Sequence, residues 1–285
     1  MKTSIVPLAR MNNSLQLSRT LTTWPTLVCV VMLFAFAGNA TDLFWTGTTG
    51  NWNVAGNWTN ALGGTQVPGA ADNAFITNNG TYSVTVPAGT TATAGTLTVG
   101  GASGTQTLAI DRATVTLNGA SVVNANGNIS FLVSQSVLTG AGNLTVNGTL
   151  NWANGTMSGA GVTSIGSGGV LAIGSGGVTL ARTLNNSGAA TWAGGNLAAS
   201  TGAAVNNLAG ATFDITADGH LNGGATTPIS NAGLFRQTAG TVSTVITATA
   251  RRIDRMRRTR EDGRTMEREA VGGEGAGVPV APPNT

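Results

Sequence analysis

Few side chains in this sequence are able to carry out chemistry, and most of them are scattered. Between residues 41 and 250 the charged groups are Asp42, Asp72, Asp111, Asp214 and Asp218 against Arg112, Arg182 and Arg236, with one histidine, His220. The one local gathering is Phe213-Asp214-Ile215-Thr216-Ala217-Asp218-Gly219-His220, in which two carboxylates stand four residues apart. Paired carboxylates serve acid–base hydrolysis of glycans or, with further oxygen ligands, hold a divalent cation. Asp214 and Asp218 are therefore the candidates for a metal or acid–base site. A plainer reading makes Asp214 an outward strand residue and Asp218-Gly219 a turn, with His220 a surface turn residue beside it. Asp111-Arg112 reads as a solvated turn. No Ser-His-Asp order, nucleotide-binding glycine loop, zinc spacing or calcium-binding nonapeptide is present. The sequence thus predicts no catalytic residue, no metal and no cofactor.

A second kind of candidate is aromatic. Trp45, Trp52 and Trp58 fall among the turn pairs Gly50-Asn51 and Gly56-Asn57, ahead of Val67-Pro68-Gly69 and Asp72-Asn73-Ala74. An exposed indole face stacks on a pyranose ring, which makes these three residues candidate ligands for surface glycans or matrix polysaccharide. The competing reading is a compact cap over residues 41–79, because indoles bury large areas and an unprotected strand edge invites aggregation.

Whatever these residues do, the elements that place them are strands. Short alternations recur at Val84-Thr85-Val86, Leu97-Thr98-Val99, Val115-Thr116-Leu117, Leu144-Thr145-Val146 and Phe213-Asp214-Ile215. Successive strand residues point to opposite faces, so each alternation sends its apolar members inward. Phe131, Trp152, Leu171, Trp192, Phe213 and Phe235 return at intervals near 21 residues, each a few positions behind a glycine (Gly127, Gly148, Gly168, Gly188, Gly210, Gly233). Several of those glycines follow an asparagine: Asn126, Asn147, Asn186, Asn207 and Asn231. A fixed period of this length marks a solenoid. About three short strands and three turns fit in one repeat, so the expectation is an all-β parallel β-helix over residues 80–250, in coils of about 21 residues. In that register the six large residues share one inward column. The asparagines form a second, with amides bonded from coil to coil as in cross-β ladders.

The flanks differ from this body. Residues 1–40 read as a secretory signal: Lys2, Arg10 and Arg19 precede an apolar run from about Leu27 to Phe36, then small residues that suit a signal peptidase. The run is too short to span a bilayer comfortably, so no stable membrane span is expected once it is removed. Cys29, the only cysteine, lies inside it, and no disulfide is expected in the mature chain. Residues 251–285 carry eight arginines among six acids and then a Gly/Pro-rich end, which reads as a disordered tail. So abrupt a change after Ala250 also fits a reading frame that slips near Ala248. The high pI, near 10.0, comes from these two ends. The body between them is slightly acidic, which argues against a nucleic-acid partner.

The spacing W-x-G, G-x-W, G-x-W, P-G and D-x-A at Trp45 to Ala74, followed by N-x-G coils, resembles secreted bacterial repeat proteins of the autotransporter-passenger type. It is similar to the β-strand-repeat surface proteins of environmental bacteria. The resemblance covers about residues 43–247. It implies a right-handed parallel β-helix that is exported and often associated with the cell surface. Together the readings point to a non-catalytic surface or extracellular-matrix scaffold with an adhesive role, oligomeric state open. A carbohydrate-binding module built on the three tryptophans is the alternative, and a glycan-cleaving enzyme comes third.

Overall fold

The computed structural model describes residues 40–200, 202–241, 244–253, 256–259 and 265–268, all within the larger of two compact units, Ala37–Thr285. The leader, apart from Ala40, and most of the arginine-rich tail lie outside these residues. Among them the structure is a β-solenoid of about seven turns with a single 3₁₀ turn at Ala55–Asn57.

Each coil contributes one strand to each of three stacks. The first stack runs through Asn73–Ile76, Thr96–Val99, Ser121–Val123, Leu144–Val146, Thr163–Ile165, Thr183–Asn186 and Ala204–Asn207. The second runs through Tyr82–Val86, Gln106–Ile110, Gly127–Phe131, Thr149–Trp152, Val170–Ile173, Ala189–Trp192, Thr212–Ile215 and Leu234–Gln237. The third runs through Thr91–Ala94, Thr114–Leu117, Val137–Thr139, Gly155–Met157, Val178–Leu180 and Gly195–Ala199, and reaches the start of Gly219–Asn231. Every pairing between coils of these stacks is parallel and in register up to that last long strand, whose partner Val245–Ile253 is met through register shifts. Parts of the arginine-rich segment are strands as well: Met256–Thr259 pairs with Leu234–Gln237, and antiparallel with Thr265–Arg268.

The alternation read from the sequence decides which residues face the core. In Tyr82–Val86, for example, Tyr82, Val84 and Val86 are buried while Ser83 and Thr85 lie on the outer face. The column assignment differs from the sequence expectation. Phe131 pairs with Trp152, Trp152 with Ile173, and Ile173 with Trp192. Leu171 stands two residues away, in the neighbouring inward column with Leu150, Ala190, Phe213 and Phe235. The six large residues are therefore split between two columns. Both columns face inward, because a two-residue offset preserves the strand face. What the constant period concealed is that coil length varies: Phe131 to Trp152 is 21 residues, Ile173 to Trp192 is 19, and Trp192 to Ile215 is 23.

Close approach of coils at the corners explains four of the six repeat glycines, while Gly210 takes a left-handed φ of 82° and Gly168 has open space around it. Gly127, Gly148, Gly188 and Gly233 all keep ordinary negative or extended φ, so left-handed backbone is not what selects them. Instead a carbonyl of the preceding coil sits where a Cβ would be, 2.3 Å from the ideal position at Gly148 (Gly127 O) and 2.4 Å at Gly233 (Ala211 O). A side chain at these corners would push neighbouring coils apart.

The N-terminal end is closed by the tryptophans. Asp42–Trp45 adds a strand parallel to Asn73–Ile76 and antiparallel to Trp58–Thr59, while Gly50–Asn51 adds one to Tyr82–Val86. Trp58 sits between Trp45 and Trp52, edge-on to both at 5.0 and 4.7 Å. Trp45 donates from Nε1 to Thr48 O at 2.7 Å, and Trp58 to Trp52 O at 2.8 Å. The three rings cover the apolar floor of the first complete coil.

Candidate functional site

The carboxylates singled out by the sequence are placed in separate surroundings. Asp214 lies on the outer face of Thr212–Ile215, where the Arg236 guanidinium of the next coil grips it with two bonds, Nε to Oδ1 at 2.6 Å and Nη2 to Oδ2 at 2.9 Å. Such a fork is the strong geometry for an arginine–carboxylate pair. The bond to Asp214 holds the Arg236 guanidinium above its ordinary pKa, against the opposing effect of burial. Asp218 accepts from Thr241 through both N (3.2 Å) and Oγ1 (2.9 Å). His220 stands on the exposed face of the third stack, paired in register with Asn196. Asp214 faces out from the second stack and His220 from the third, so the local gathering in sequence is not a gathering in space. Among the described residues no group of three or more His, Cys, Asp or Glu is placed to hold a metal ion.

The other aspartates serve the backbone or a neighbour. Asp72 accepts from Thr41 N at 3.0 Å and from Gly69 N at 2.9 Å, and Asp42 from Asn73 Nδ2 at 2.7 Å. Asp111 pairs with Arg112 at 3.3 Å on the surface, and Arg112 is the one described non-glycine residue with positive φ, at 48°. This matches the turn read from the sequence.

Trp45, Trp52 and Trp58 are buried, at 0, 1 and 0% exposure, so no indole face is open to a pyranose ring. Their apolar area is used inside the cap instead. The aromatic surface that does reach solvent was not signalled by the sequence. Phe44 and Phe75 stack on the outer face of the first two rungs, with centroids 4.9 Å apart and planes 16° from parallel. They fall on that face because each is the odd residue in a strand whose neighbours, Trp45 and Ile76, are buried.

Two buried polar features complete the inventory. Asn186, Asn207 and Asn231 form an amide ladder inside the core: Asn186 Nδ2 donates to Asn207 Oδ1 at 2.9 Å, and Asn207 Nδ2 to Asn231 Oδ1 at 2.7 Å. The remaining N–H of each of the first two reaches a carbonyl of the second stack, Thr212 O at 2.8 Å and Leu234 O at 3.1 Å. Of the five asparagines expected in this column only these three belong to it. Asn147 is exposed, and Asn126 instead donates to Gly101 O at 3.0 Å.

Arg182 is the second feature, and nothing in its local sequence points to it. The preceding coils turn the same corner with Gly142 and Gly161, whereas here the arginine folds back over them. Its Nε donates to Gly161 O at 2.8 Å and its Nη2 to Gly142 O at 2.9 Å. The residue is 1% exposed and its Nη1 has no partner. Burial without a counter-ion pushes this guanidinium below its ordinary pKa.

Among the described residues no helix is long and apolar enough to cross a membrane. Compared with known protein families, curated proteins and solved structures, the chain matches none.

Proposed function

We propose that this chain is a non-catalytic scaffold, exported to a bacterial cell surface or extracellular matrix and adhesive there. The observation that carries the reading is how the body employs its ionisable groups. Asp42, Asp72, Asp111, Asp214 and Asp218 are each bonded to a backbone group or a neighbouring side chain, and Arg182 is spent on two corner carbonyls. Reactive sites gather such groups around a substrate and shift them toward the task; here all but the Asp111–Arg112 turn pair brace one coil against the next. The basic, then apolar leader at 1–40 supports export, and the absence of cysteine beyond it fits a fold held by packing and backbone bonds alone.

The test is to express the full chain in a bacterial host and fractionate the cells, with protease treatment of intact cells as the measure of surface exposure. Surface-accessible or released protein, lacking residues up to about 40, is the expected result. Protein that stays cytosolic and protease-protected defeats the reading.

A second reading, glycan binding, gains support from one observation. Phe44 and Phe75 are the aromatic residues outside the core among those described, and the Asp42–Asn73 bond lies beside them on the same face. Binding on a glycan array that disappears in Phe44→Ala, while the fold is kept, would move carbohydrate recognition ahead of simple scaffolding.

A further inference from the structure

The outer face of the third stack differs from the other two. Its strands present two rows of residues. One row runs Thr91, Thr114, Val137, Thr156, Thr179 and Ala198, with each member paired in register to the next. Two residues further along each strand, a second row runs Thr93, Thr116 and Thr139, then Ser158, Ala181 and Ser200 on the following coils. Seven of these twelve positions are threonine, two are serine and none is charged or aromatic. The other stacks also present threonines outward, among them Thr85, Thr107, Thr149, Thr191 and Thr212 on the second and Thr96, Thr98, Thr145 and Thr183 on the first, but there they are interrupted by Asn151 and the Asp214–Arg236 pair and by Phe44, Phe75, Asn185 and Asn206.

The pairings on this face contain no register shift from Thr91–Ala94 to Gly195–Ala199. Its hydroxyls and methyls therefore form a rectangular grid, with rungs about 4.8 Å apart and rows about 6.7 Å apart, over roughly 24 Å. Ser158 Oγ donates to Thr139 Oγ1 at 3.0 Å, an instance of hydroxyls from adjacent coils standing at water-to-water distance. Threonine is β-branched and stiff at χ1, so a partner of matching period would meet groups already in place, with little ordering cost.

We propose that this threonine face binds the surface of an ice crystal. A neutral grid suits a neutral lattice. A polyanion or an acidic membrane would need cations, which the face lacks, and a sugar chain is normally gripped by aromatic stacking, which it also lacks. The oxygens on the prism faces of hexagonal ice repeat on a rectangular grid of closely similar dimensions. Waters bridging the hydroxyls, held around the methyls, would extend that lattice from the protein. The inference goes beyond the scaffold reading and does not depend on where the protein resides.

The experiment places the purified full chain around a single ice crystal in a nanolitre osmometer. Faceted growth and a gap between melting and freezing points that widens with protein concentration are expected. The double variant Thr116→Lys and Thr139→Lys puts two charges on adjacent rungs in the centre of the grid, and should abolish both effects while the far-UV circular dichroism of the fold is retained, with a lowered unfolding midpoint from the like charges. Thr191→Lys, on the second stack, should leave them intact. Rounded crystals with no gap overturn the proposal, as does a gap that survives the double lysine. Two other results also overturn it by giving the face to another occupant. One is a dimer in sedimentation that only the double lysine dissociates; the other is retention on an insoluble β-glucan that only the double lysine abolishes.

Discussion

One inward column of the first stack is built in two ways. From Val99 through Val123 and Val146 to Ile165 it is aliphatic, and from Asn186 through Asn207 to Asn231 it is amide. The backbone pairing is the same in both halves, parallel and in register. The side chains hold it differently. In the aliphatic half each branch packs against the one above, an attraction that is non-directional and tolerates a sliding neighbour. In the amide half Asn186 and Asn207 each give one donor to the next amide and one to a carbonyl of the second stack, so their positions are specified in two directions. The amide half also carries the greater risk. A buried polar group gains modestly from its hydrogen bond but costs the full desolvation penalty when the partner is lost.

The inward columns of the second stack set the scale against which the two halves can be judged. Truncating Trp192, which is fully buried between Ile173 and Ile215, is expected to cost about 3–5 kcal/mol in urea unfolding. Placing one amide in the aliphatic half, Val146→Asn, should cost about 2–4 kcal/mol, because Val123 and Ile165 offer no polar partner. Asn207→Val should cost about 1–3 kcal/mol, since it leaves Asn231 Oδ1 and Leu234 O without the donor they now share. Replacing all three ladder residues by valine should cost no more than that single change, about 1–3 kcal/mol, because the amide–amide donors and acceptors leave together and only Thr212 O, Leu234 O and Gly188 N lose a partner. If the triple variant is the worse of the two, the halves are not equivalent solutions and the amides supply net stability. Smallest of all, Thr191→Ala on the outer face should shift stability by under about 1 kcal/mol. A loss there comparable to that of Trp192→Ala would break the inward–outward assignment itself.

The N-terminal cap makes the same point about function. From their types alone, Trp45, Trp52 and Trp58 had two roles open to them, a sugar platform or a plug. The alternation that sends Trp45 inward sends Phe44 outward, so of the two roles it is the plug that the tryptophans take. Asp214 and Asp218 also looked like a pair in the chain, yet their partners are Arg236 and Thr241, each 22 or 23 residues later and one coil away. Neither partner is visible in a local motif. In a solenoid the neighbour that matters is a whole coil distant.

What the sequence determined by itself is the fold class, the three strands in each coil, the inward and outward faces of each strand, and that asparagines would bond from coil to coil, though not which of the five would do so. All of these follow from local rules: alternation along an extended chain, turn chemistry at its ends, and a period long enough to close one coil. Only the tertiary structure decided that Leu171 belongs to a different column from Trp152, that Arg182 is buried over Gly142 and Gly161, and that threonines from five coils fall on one grid. These depend on how many residues each corner takes up, which varies from coil to coil. That number is set by carbonyl-to-Cβ clearances and hydrogen bonds between coils, and it leaves no trace within any single repeat.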